Sequence, residues 1–276
     1  MKVTYYPGCS LESSARDYNE SIKVVCRALG IELQEPEDWT CCGATSAHSL
    51  NRKLSLDLPA RNVTAAEGVG LEMLVPCPLC FNRLIRAKEE IRSTVPIHDL
   101  ASFMAQPALL EKIKSKVLAP LTGLSAVCYY GCMANRPPKI TGSLHYENPT
   151  EMDRIAEALG VEVKPWSFKT DCCGASFSIS RPEIIHNLVK RLYDRAMEAG
   201  ADCIIVSCQM CQGNLDLYQE EIARIYKKEY RLPVFYFTEL IGLALRLKDV
   251  GRGLRRHMVD PIPYLKEKGL THGAIL

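Results

Sequence analysis

The sequence predicts an α/β protein of two tandem Rossmann-like domains with parallel sheets, related by pseudo-twofold symmetry. Short apolar runs alternate with helical patterns along the chain, which is typical of parallel strands joined by helices. The second half repeats the first, which indicates a duplicated unit. We therefore expect one domain over residues 1–121, a second over 122–247 and a C-terminal extension over 248–276.

The first half contains four short apolar runs separated by helical patterns. Apolar residues from Tyr18 to Leu29 recur at helical spacing, and Gly30 follows as a helix terminator. A helical stretch interrupted near Pro59 precedes the third run, and a helix over 79–91 follows it. The predicted strands are residues 3–6, 31–33, 71–75 and 97–99.

The second half follows the same plan, with segment 3–9 aligned to 127–132 and the proline of the first copy missing. Ser180 and Glu183 have the spacing of a capping box, and Pro182 lies just inside the start of the helix that they predict. The predicted strands are residues 126–130, 161–163, 203–206 and 234–237.

The composition is that of a globular protein and excludes several function classes. The 276 residues are 47% apolar and carry a net charge of +2, which gives no basic field for nucleic acid. No apolar run approaches the ~20 residues of a membrane span, and the N-terminus lacks a signal-peptide pattern. We therefore expect a cytoplasmic protein, in which clustered cysteines bind metal or perform redox chemistry.

Ten of the 13 cysteines form two matching sets of five. Each set has a Gly-Cys, then a Cys-Cys-Gly-Ala after 31 or 39 residues, then a Cys-x-x-Cys after another 34. The first set is Cys9, Cys41, Cys42, Cys77 and Cys80, and the second is Cys132, Cys172, Cys173, Cys208 and Cys211. All ten fall at predicted strand ends or in the loops leaving them. Each set should therefore converge at one edge of one sheet.

Five thiols per set favour an iron–sulfur cluster as the ligand. A structural zinc site needs four ligands in a closed tetrahedron, and vicinal cysteines are awkward chelators of a single ion. A thioredoxin-type dithiol needs two cysteines and leaves the vicinal pair unexplained. Thiolate-rich sets favour multinuclear iron–sulfur centres, although zinc and dithiol chemistry stay open at this point.

The three remaining cysteines have no counterpart in the repeat. Cys26 aligns with an alanine and lies on the apolar face of a helix, and Cys203 begins an apolar strand, so packing is the better interpretation for both. Cys128 aligns with Thr4, and because it lies only four residues from Cys132 it is the leftover cysteine with some claim to a site role.

Several other residues lie near the cysteines in the sequence. His48 follows the first Cys-Cys-Gly and is a candidate proton donor for a leaving thiolate. Thr45 and Ser176 follow the vicinal pairs, and their hydroxyls either bond cluster sulfides or cap the next helix. The aromatic residues Tyr5, Tyr6, Tyr129 and Tyr130 either shape a cleft or fill the core. The charges of 83–92 are interpreted as a solvated helix face.

At these motifs the sequence resembles the cysteine-rich CCG domain family, in two copies. Without an attached ferredoxin module, and with Tyr-Tyr-Pro-Gly-Cys at the start, it is similar to the B subunits of heterodisulfide reductases. The resemblance covers residues 1–247 and implies two noncubane [4Fe-4S] clusters, each held by one set of five cysteines. It also implies reduction of a disulfide between two thiol coenzymes, coenzyme M and coenzyme B in methanogenesis, bound between the clusters.

The same resemblance implies partners and leaves alternatives. Electrons would come from a small ferredoxin-like subunit of the same complex, which is supplied in turn by a flavin-containing one. The CCG domain also occurs in iron–sulfur electron-transfer subunits of organic-acid oxidases, and in sulfur-oxidising assemblies similar to heterodisulfide reductase. A scaffold holding two zinc ions is the alternative that is not an enzyme.

Overall fold

The computed structural model describes residues 1–271, which form two four-stranded parallel sheets. Each sheet has its first two strands on one side and its last two on the other, in the orders β2-β1-β3-β4 and β6-β5-β7-β8. The strands are β1 Lys2–Tyr5, β2 Glu32–Gln34, β3 Met73–Val75, β4 Ile97–Asp99, β5 Ser125–Tyr129, β6 Glu162–Val163, β7 Cys203–Val206 and β8 Val234–Tyr236. The predicted α/β fold with parallel sheets is confirmed.

Helices cover the faces of both sheets and form the connections between their strands. In the first lobe they are α1 Arg16–Ala28, α2 Ser46–Leu50, α3 Leu54–Val69, α4 Pro78–Glu90, α5 Leu100–Met104 and α6 Pro107–Ser115. In the second lobe they are α7 Pro138–Thr141, α8 Glu151–Ala158, α9 Pro182–Glu198, α10 Gln209–Leu217, α11 Gln219–Tyr226 and α12 Phe237–Ala244. The C-terminal tail adds α13 Gly251–Leu254 and α14 Pro261–Glu267, and short 3₁₀ turns occur at Ala175–Phe177 and Lys248–Val250.

The sheet register corrects the alignment of the two halves by one residue. Thr4 pairs with Met73, and Val127 pairs with Ile204. Met73 and Ile204 are equivalent because each lies four residues before the first cysteine of its Cys-x-x-Cys. Thr4 therefore corresponds to Val127, and Cys128 corresponds to the next residue, Tyr5. Aligning the two Tyr-Tyr pairs suggested that the second copy lacks the proline. In the correct register no residue is missing, and Tyr130 corresponds to Pro7.

Two helix boundaries also differ from the predictions. The helical stretch of the first half breaks at 51–53 rather than at Pro59, because the Asn51 side chain accepts a hydrogen bond from the Leu54 N–H and starts α3 anew. Pro182 begins α9 as predicted, but the capping box is wrong. Arg181 occupies the N-cap, and its guanidinium donates a hydrogen bond to the Glu183 carboxylate.

The two lobes pack through helices that are exchanged by the pseudo-twofold axis. Helix α1 packs against α12, and α8, the counterpart of α1, packs against α5, the counterpart of α12. At the first of these contacts the rings of Tyr18 and Tyr236 stack with centroids 4.1 Å apart. The Tyr18 hydroxyl donates to the Ser207 carbonyl at 3.0 Å, and Ser21 bonds Thr238 at 2.7 Å. These buried polar contacts fix the relative position of the lobes.

The C-terminal tail contacts both lobes, and its α13 packs against α1 of the first lobe. His257 Nε2 lies 3.0 Å from Glu239 Oε1 in α12, and both side chains are fully buried. The Asp216 carboxylate accepts hydrogen bonds from the backbone N–H groups of Met258 and Val259. The tail therefore joins α12 to α10, the helix that starts beside Cys208.

Two further expectations concern the absence of a membrane-spanning helix and the limits of the domains. No helix within residues 1–271 is long and apolar enough to cross a membrane. The domain limits at 121 and 247 stay predictions. Of the extension proposed over 248–276, residues 272–276 lie outside the described residues.

We expect His257→Leu to lower the free energy of unfolding by about 3 kcal/mol, because it leaves the Glu239 carboxylate buried without its partner. Burial lowers the pKa of His257, but Glu239, Asp216 and Asp17 together raise it to about 9. The stabilisation is therefore complete below the usual pKa of 6.5 and is lost as the pH rises through about 9. Urea unfolding at about pH 6 and about pH 10 measures it.

Arg256→Ala is the matched control in the same tail, because its ion pair with Glu20 is half-exposed and should contribute less than about 1 kcal/mol. An equal loss in both variants, or a difference between wild type and His257→Leu that does not shrink at high pH, would contradict this account.

Candidate metal centres and substrate cleft

The ten cysteines lie where the sequence predicts them, at the carboxyl ends of the strands. Cys9 follows β1, the vicinal pair Cys41-Cys42 follows β2, and Cys77 is the N-cap of α4 directly after β3. The second lobe repeats this placement after β5, β6 and β7. Parallel strands end at the same edge of a sheet, so the fold brings each set to one place.

Sulfur contacts link the members of each set, in one chain in the first set and in two groups in the second. In the first set Cys9 Sγ lies 3.7 Å from Cys41 Sγ, and Cys42 Sγ lies 3.2 Å from Cys80 Sγ. Cys77 Sγ closes the chain by accepting the Cys80 N–H at 3.5 Å. In the second set Cys132 is hydrogen-bonded to Cys172, and separately Cys173 Sγ lies 3.7 Å from Cys211 Sγ and Cys211 is hydrogen-bonded to Cys208.

These contacts favour thiolates inside each set. Hydrogen bonds from the thiols of Cys41 and Cys80 lower the pKa of Cys42 to about 4. A hydrogen bond from Cys132 lowers the pKa of Cys172 to about 6. The thiols that donate these bonds have raised pKa values, since losing their proton would place like charges in contact. Each set thus offers anionic sulfur ligands beside one another, which metals require.

Two glycines permit the close approach of the sulfurs. Gly8 and Gly131 have φ values of +74° and +65°, which L side chains rarely adopt. A Cβ on Gly8 would lie 3.0 Å from Cys80 Sγ, and one on Gly131 would lie 2.9 Å from Cys211 Sγ. Each glycine therefore leaves room beside a thiol that any side chain would fill. Five soft sulfur donors around such a space fit an iron–sulfur cluster better than a four-ligand zinc site.

One tyrosine in each lobe holds the loop that carries the vicinal cysteines. The Tyr6 hydroxyl donates to the carbonyl of Thr40, and the Tyr129 hydroxyl donates to the carbonyl of Asp171, each at 2.6 Å. Burial raises the pKa of both tyrosines. Tyr6 and Tyr129 are therefore core residues that also hold the cysteine loops, and of the four tyrosines only Tyr130 is among the described residues that line the cleft next to the cysteines.

A cleft of about 770 Å³ lies between the lobes next to the cysteines. All five cysteines of the second set line it. Among residues 1–271 no cysteine of the first set does; Pro78 and Leu79, which separate Cys77 from Cys80, line it instead. The first Cys-x-x-Cys therefore presents its intervening residues to the cleft, and the expectation that the disulfide binds between two clusters stays a prediction.

Arg83 is a residue of the cleft that the sequence analysis missed. Although its pattern predicts a solvated charge, it lines the cleft, and its Nε is buried with no hydrogen-bond partner in the described part of the chain. No aspartate or glutamate is among the described residues lining the cleft. The available signal was its position three residues after Cys80 on α4, which places both on one helix face.

His48 also lines the cleft, from the exposed side of α2. The charge of Arg83, together with partial burial and Arg86, lowers the pKa of His48 below its usual value, so the ring is mostly neutral at pH 7. Its role as proton donor stays a prediction. Thr45 and Ser176 line the cleft as well, and Thr45 does not cap α2 with its side chain.

The three leftover cysteines lie in the core, away from the two sets. Burial raises the pKa of Cys26 and of Cys203 to about 12, and it also raises the pKa of Cys128. All three are completely buried neutral thiols. The packing interpretation of Cys26 and Cys203 is therefore supported, and Cys128, inside β5, shares it.

The sequence profile of the family described as "Cysteine-rich domain" (CCG) matches residues 3–85 and 126–216, once in each lobe. The chain belongs to this family. Each matched segment contains all five cysteines of its set.

Similar proteins match nearly the whole length of the chain. The "8-methylmenaquinol:fumarate reductase membrane anchor subunit" of Wolinella succinogenes is 32% identical over 94% of this chain and 97% of that protein. The B subunit of the "Ferredoxin/F(420)H(2)-dependent CoB-CoM heterodisulfide reductase" of Methanosarcina acetivorans is 24% identical over 96% of both chains. These similarities support an iron–sulfur redox subunit of a multi-protein complex.

A solved structure of a hypothetical protein from Helicobacter pylori superposes with a TM-score of 0.70 at 11% identity. It covers 94% of this chain, which spans about half (52%) of that protein. At this identity the likeness shows the α/β fold alone.

Gly131→Ala should remove the metal from the second set, because its Cβ would lie 2.9 Å from Cys211 Sγ. Gly142→Ala is the matched control: it has a similar φ of +70°, but nothing lies within 4 Å of its Cβ. We expect Gly131→Ala to keep about half of the bound metal and Gly142→Ala to keep all of it. Metal analysis of both purified variants checks this, and equal metal content would contradict the role of Gly131.

Proposed function

We propose that this chain is the catalytic iron–sulfur subunit of a complex of the heterodisulfide reductase type. Each set of five cysteines holds one noncubane [4Fe-4S] cluster, and the cleft between the lobes binds a coenzyme disulfide of the coenzyme M–coenzyme B kind. The observation that carries the proposal is the convergence of two five-thiol sets beside one cleft, in a chain similar to reductase B subunits.

The reaction converts one disulfide, two electrons and two protons into two thiols. Two iron–sulfur clusters, when bound, supply the electrons one at a time. The chain's own residues bind the substrate and offset its charge. The Arg83 guanidinium, which has no carboxylate beside it in the described cleft, stabilises an anionic substituent or a departing thiolate. His48 lines the same cleft, and once its ring has taken up a proton from water it passes that proton to the thiolate.

The proposed partners are a ferredoxin-like subunit that donates electrons and a flavin-containing subunit that supplies it. Relatives named for ferredoxin-dependent heterodisulfide reductases support this assembly. The cytoplasmic location and the absence of a nucleic-acid partner remain predictions.

A second candidate is electron exchange with a quinol in a fumarate reductase complex. The relative from Wolinella succinogenes, named for 8-methylmenaquinol and fumarate, favours it with 32% identity. The cleft supports it as well, because Leu79, Met133, Met210 and Ile179 give it apolar walls that suit a quinone ring. The same two cysteine sets would serve either substrate.

The purified chain should be brown and contain about eight irons, as two four-iron centres require. Cys41→Ala and Cys172→Ala should each lose the cluster of their own lobe and keep the other. Iron analysis and absorption spectra check this. Cys26→Ala is the control, because its thiol is buried in α1 outside both sets. Colourless protein containing zinc would contradict the cluster assignment.

The reduced complex should cleave the coenzyme M–coenzyme B disulfide and release two thiols. Arg83→Gln should raise KM for this anionic disulfide about tenfold or more, since a charged hydrogen bond contributes about 1.5–3 kcal/mol, while KM for an uncharged disulfide stays the same. Steady-state thiol release measures both.

Menadiol oxidation, measured in the same preparation, separates the two candidates. Thiol release without menadiol oxidation supports the disulfide assignment. Menadiol oxidation without thiol release contradicts it and supports the quinol candidate.

A further inference from the structure

Two buried side chains reach from one lobe to the cysteine segments of the other, and Gln209 is the first of them. It directly follows Cys208 of the second set, and its Nε2 donates a hydrogen bond of 2.9 Å to Cys77 Sγ of the first. Its Oε1 is buried and has no hydrogen-bond partner in the described part of the chain. A buried polar atom without a partner costs free energy, so packing alone does not account for this side chain.

Asn82 makes the opposite connection, from α4 of the first lobe to the loop that follows Cys132. Its Nδ2 donates to the carbonyl of Met133 at 3.2 Å and to that of Arg136 at 3.0 Å. The residue is 3% exposed, and α4 also packs against α7, the helix after this loop. Both N–H bonds of the amide therefore hold a cysteine loop of the second lobe against the helix that carries Cys80.

The two contacts are not copies of one another, although the motif that carries them is duplicated. Pro78 corresponds to Gln209, because each directly follows the first cysteine of its Cys-x-x-Cys, and proline has no side-chain donor. Gly213 corresponds to Asn82, two residues after the last cysteine, and a Cβ on Gly213 would meet nothing within 4 Å. Each lobe therefore supplies one of the two contacts, from a different position of the same motif.

Together the contacts hold the start of α4 from two sides. Gln209 joins Cys77, the N-cap of α4, to the Cys208 segment. Asn82, one turn further along α4, joins the helix to the Cys132 segment. The Cys-x-x-Cys of the first set is thereby fixed against two cysteine segments of the second set.

We propose that Asn82 and Gln209 are positioning residues that fix the separation between the two cysteine sets, so that both centres act on one substrate molecule in the cleft. The proposal rests on the proposed function, which places one centre in each set. The two sulfurs of a disulfide are only about 2.05 Å apart, and a displacement of a reacting group by about 1 Å can lower a rate about 100-fold. Two centres that share one such bond therefore need a fixed spacing.

The overall reaction keeps its balance in this account. The disulfide takes up two electrons and two protons, its S–S bond breaks, and two thiols form. Asn82 and Gln209 neither supply nor accept electrons or protons. Their amide groups only hold the lobes at one distance, and a quinol that exchanges two electrons would need the same spacing.

Asn82→Leu and Gln209→Leu test the proposal, because each removes the donor at nearly unchanged side-chain volume. Tyr193→Phe is the matched control. The Tyr193 hydroxyl donates a buried bond of 2.6 Å to the Leu215 carbonyl, and both residues lie in the second lobe, so the control loses one buried bond without loosening the contact between lobes.

Hydrogen exchange measures the hold on the second lobe's loop. The backbone N–H groups of Asn135 and Arg136 bond the Cys132 carbonyl within this loop. Their exchange should become faster in Asn82→Leu and stay the same in Tyr193→Phe, because only the first variant releases the loop from α4. The measurement uses the purified chain and does not require iron or substrate.

Pulsed electron paramagnetic resonance measures the magnetic interaction between the two centres in the assembled complex. Both leucine variants should retain the iron content of wild type and show a weaker, more widely distributed interaction, while Tyr193→Phe keeps that of wild type. Steady-state kinetics should show kcat lowered about tenfold or more in both leucine variants and KM changed less than about twofold, since the residues that line the cleft are untouched.

Several outcomes would overturn the proposal. Unchanged exchange together with an unchanged magnetic interaction would do so, as would an unchanged kcat or an equal fall of kcat in Tyr193→Phe. Loss of iron from either leucine variant would also contradict it, since a change of spacing leaves the five sulfurs of each set in place. A wild-type complex that neither releases thiols nor oxidises menadiol contradicts the proposed function instead, and hydrogen exchange then decides the positioning role by itself.

Discussion

The close approach of five sulfur atoms is the constraint on which the rest of each lobe depends. Thiolates in contact repel one another, and the fold offsets this with proton sharing along the chain of sulfurs and with backbone donors such as the Gly43 N–H, 3.4 Å from Cys41 Sγ. Parallel strands bring the cysteines to one edge, and glycine beside Cys9 and Cys132 removes the atoms that would keep the sulfurs apart. Without both features the cysteines would remain separate thiols.

The sequence could predict this convergence because the relevant signals are local and repeated. Strands, their parallel pairing and the thiol motifs each have a short-range pattern, and duplication showed which cysteines belong to a set. Register was harder to predict. The alignment of Cys128 with Thr4 was wrong by one residue, because adjacent tyrosines satisfy either register, and the pairings of Thr4 with Met73 and of Val127 with Ile204 distinguish them.

The features that the sequence did not reveal are those that depend on contacts between lobes. Arg83 has the same helical pattern as a solvated charge, and its position in the cleft follows from where the second lobe packs. Its counterpart Asn214, three residues after Cys211, instead donates to the Cys173 carbonyl at 3.1 Å and holds the second cysteine loop. Duplication thus preserved the fold at this position, while one copy supports a loop and the other supplies the cleft with its positive charge.

A direct contact between the two cysteine sets needs lobes that do not move relative to each other. A hydrogen bond of 2.9 Å between Gln209 and Cys77 is lost if the lobes separate by about an ångström. The tail opposes such movement, because α13 packs against α1 of the first lobe while His257 and the adjacent backbone are held by Glu239 of α12 and Asp216 of α10 in the second. Burial makes these contacts strong, because an unpaired Glu239 or Asp216 would be left without water. The C-terminal segment therefore acts on the redox site without touching it, by keeping the helix of the second set fixed against the first lobe.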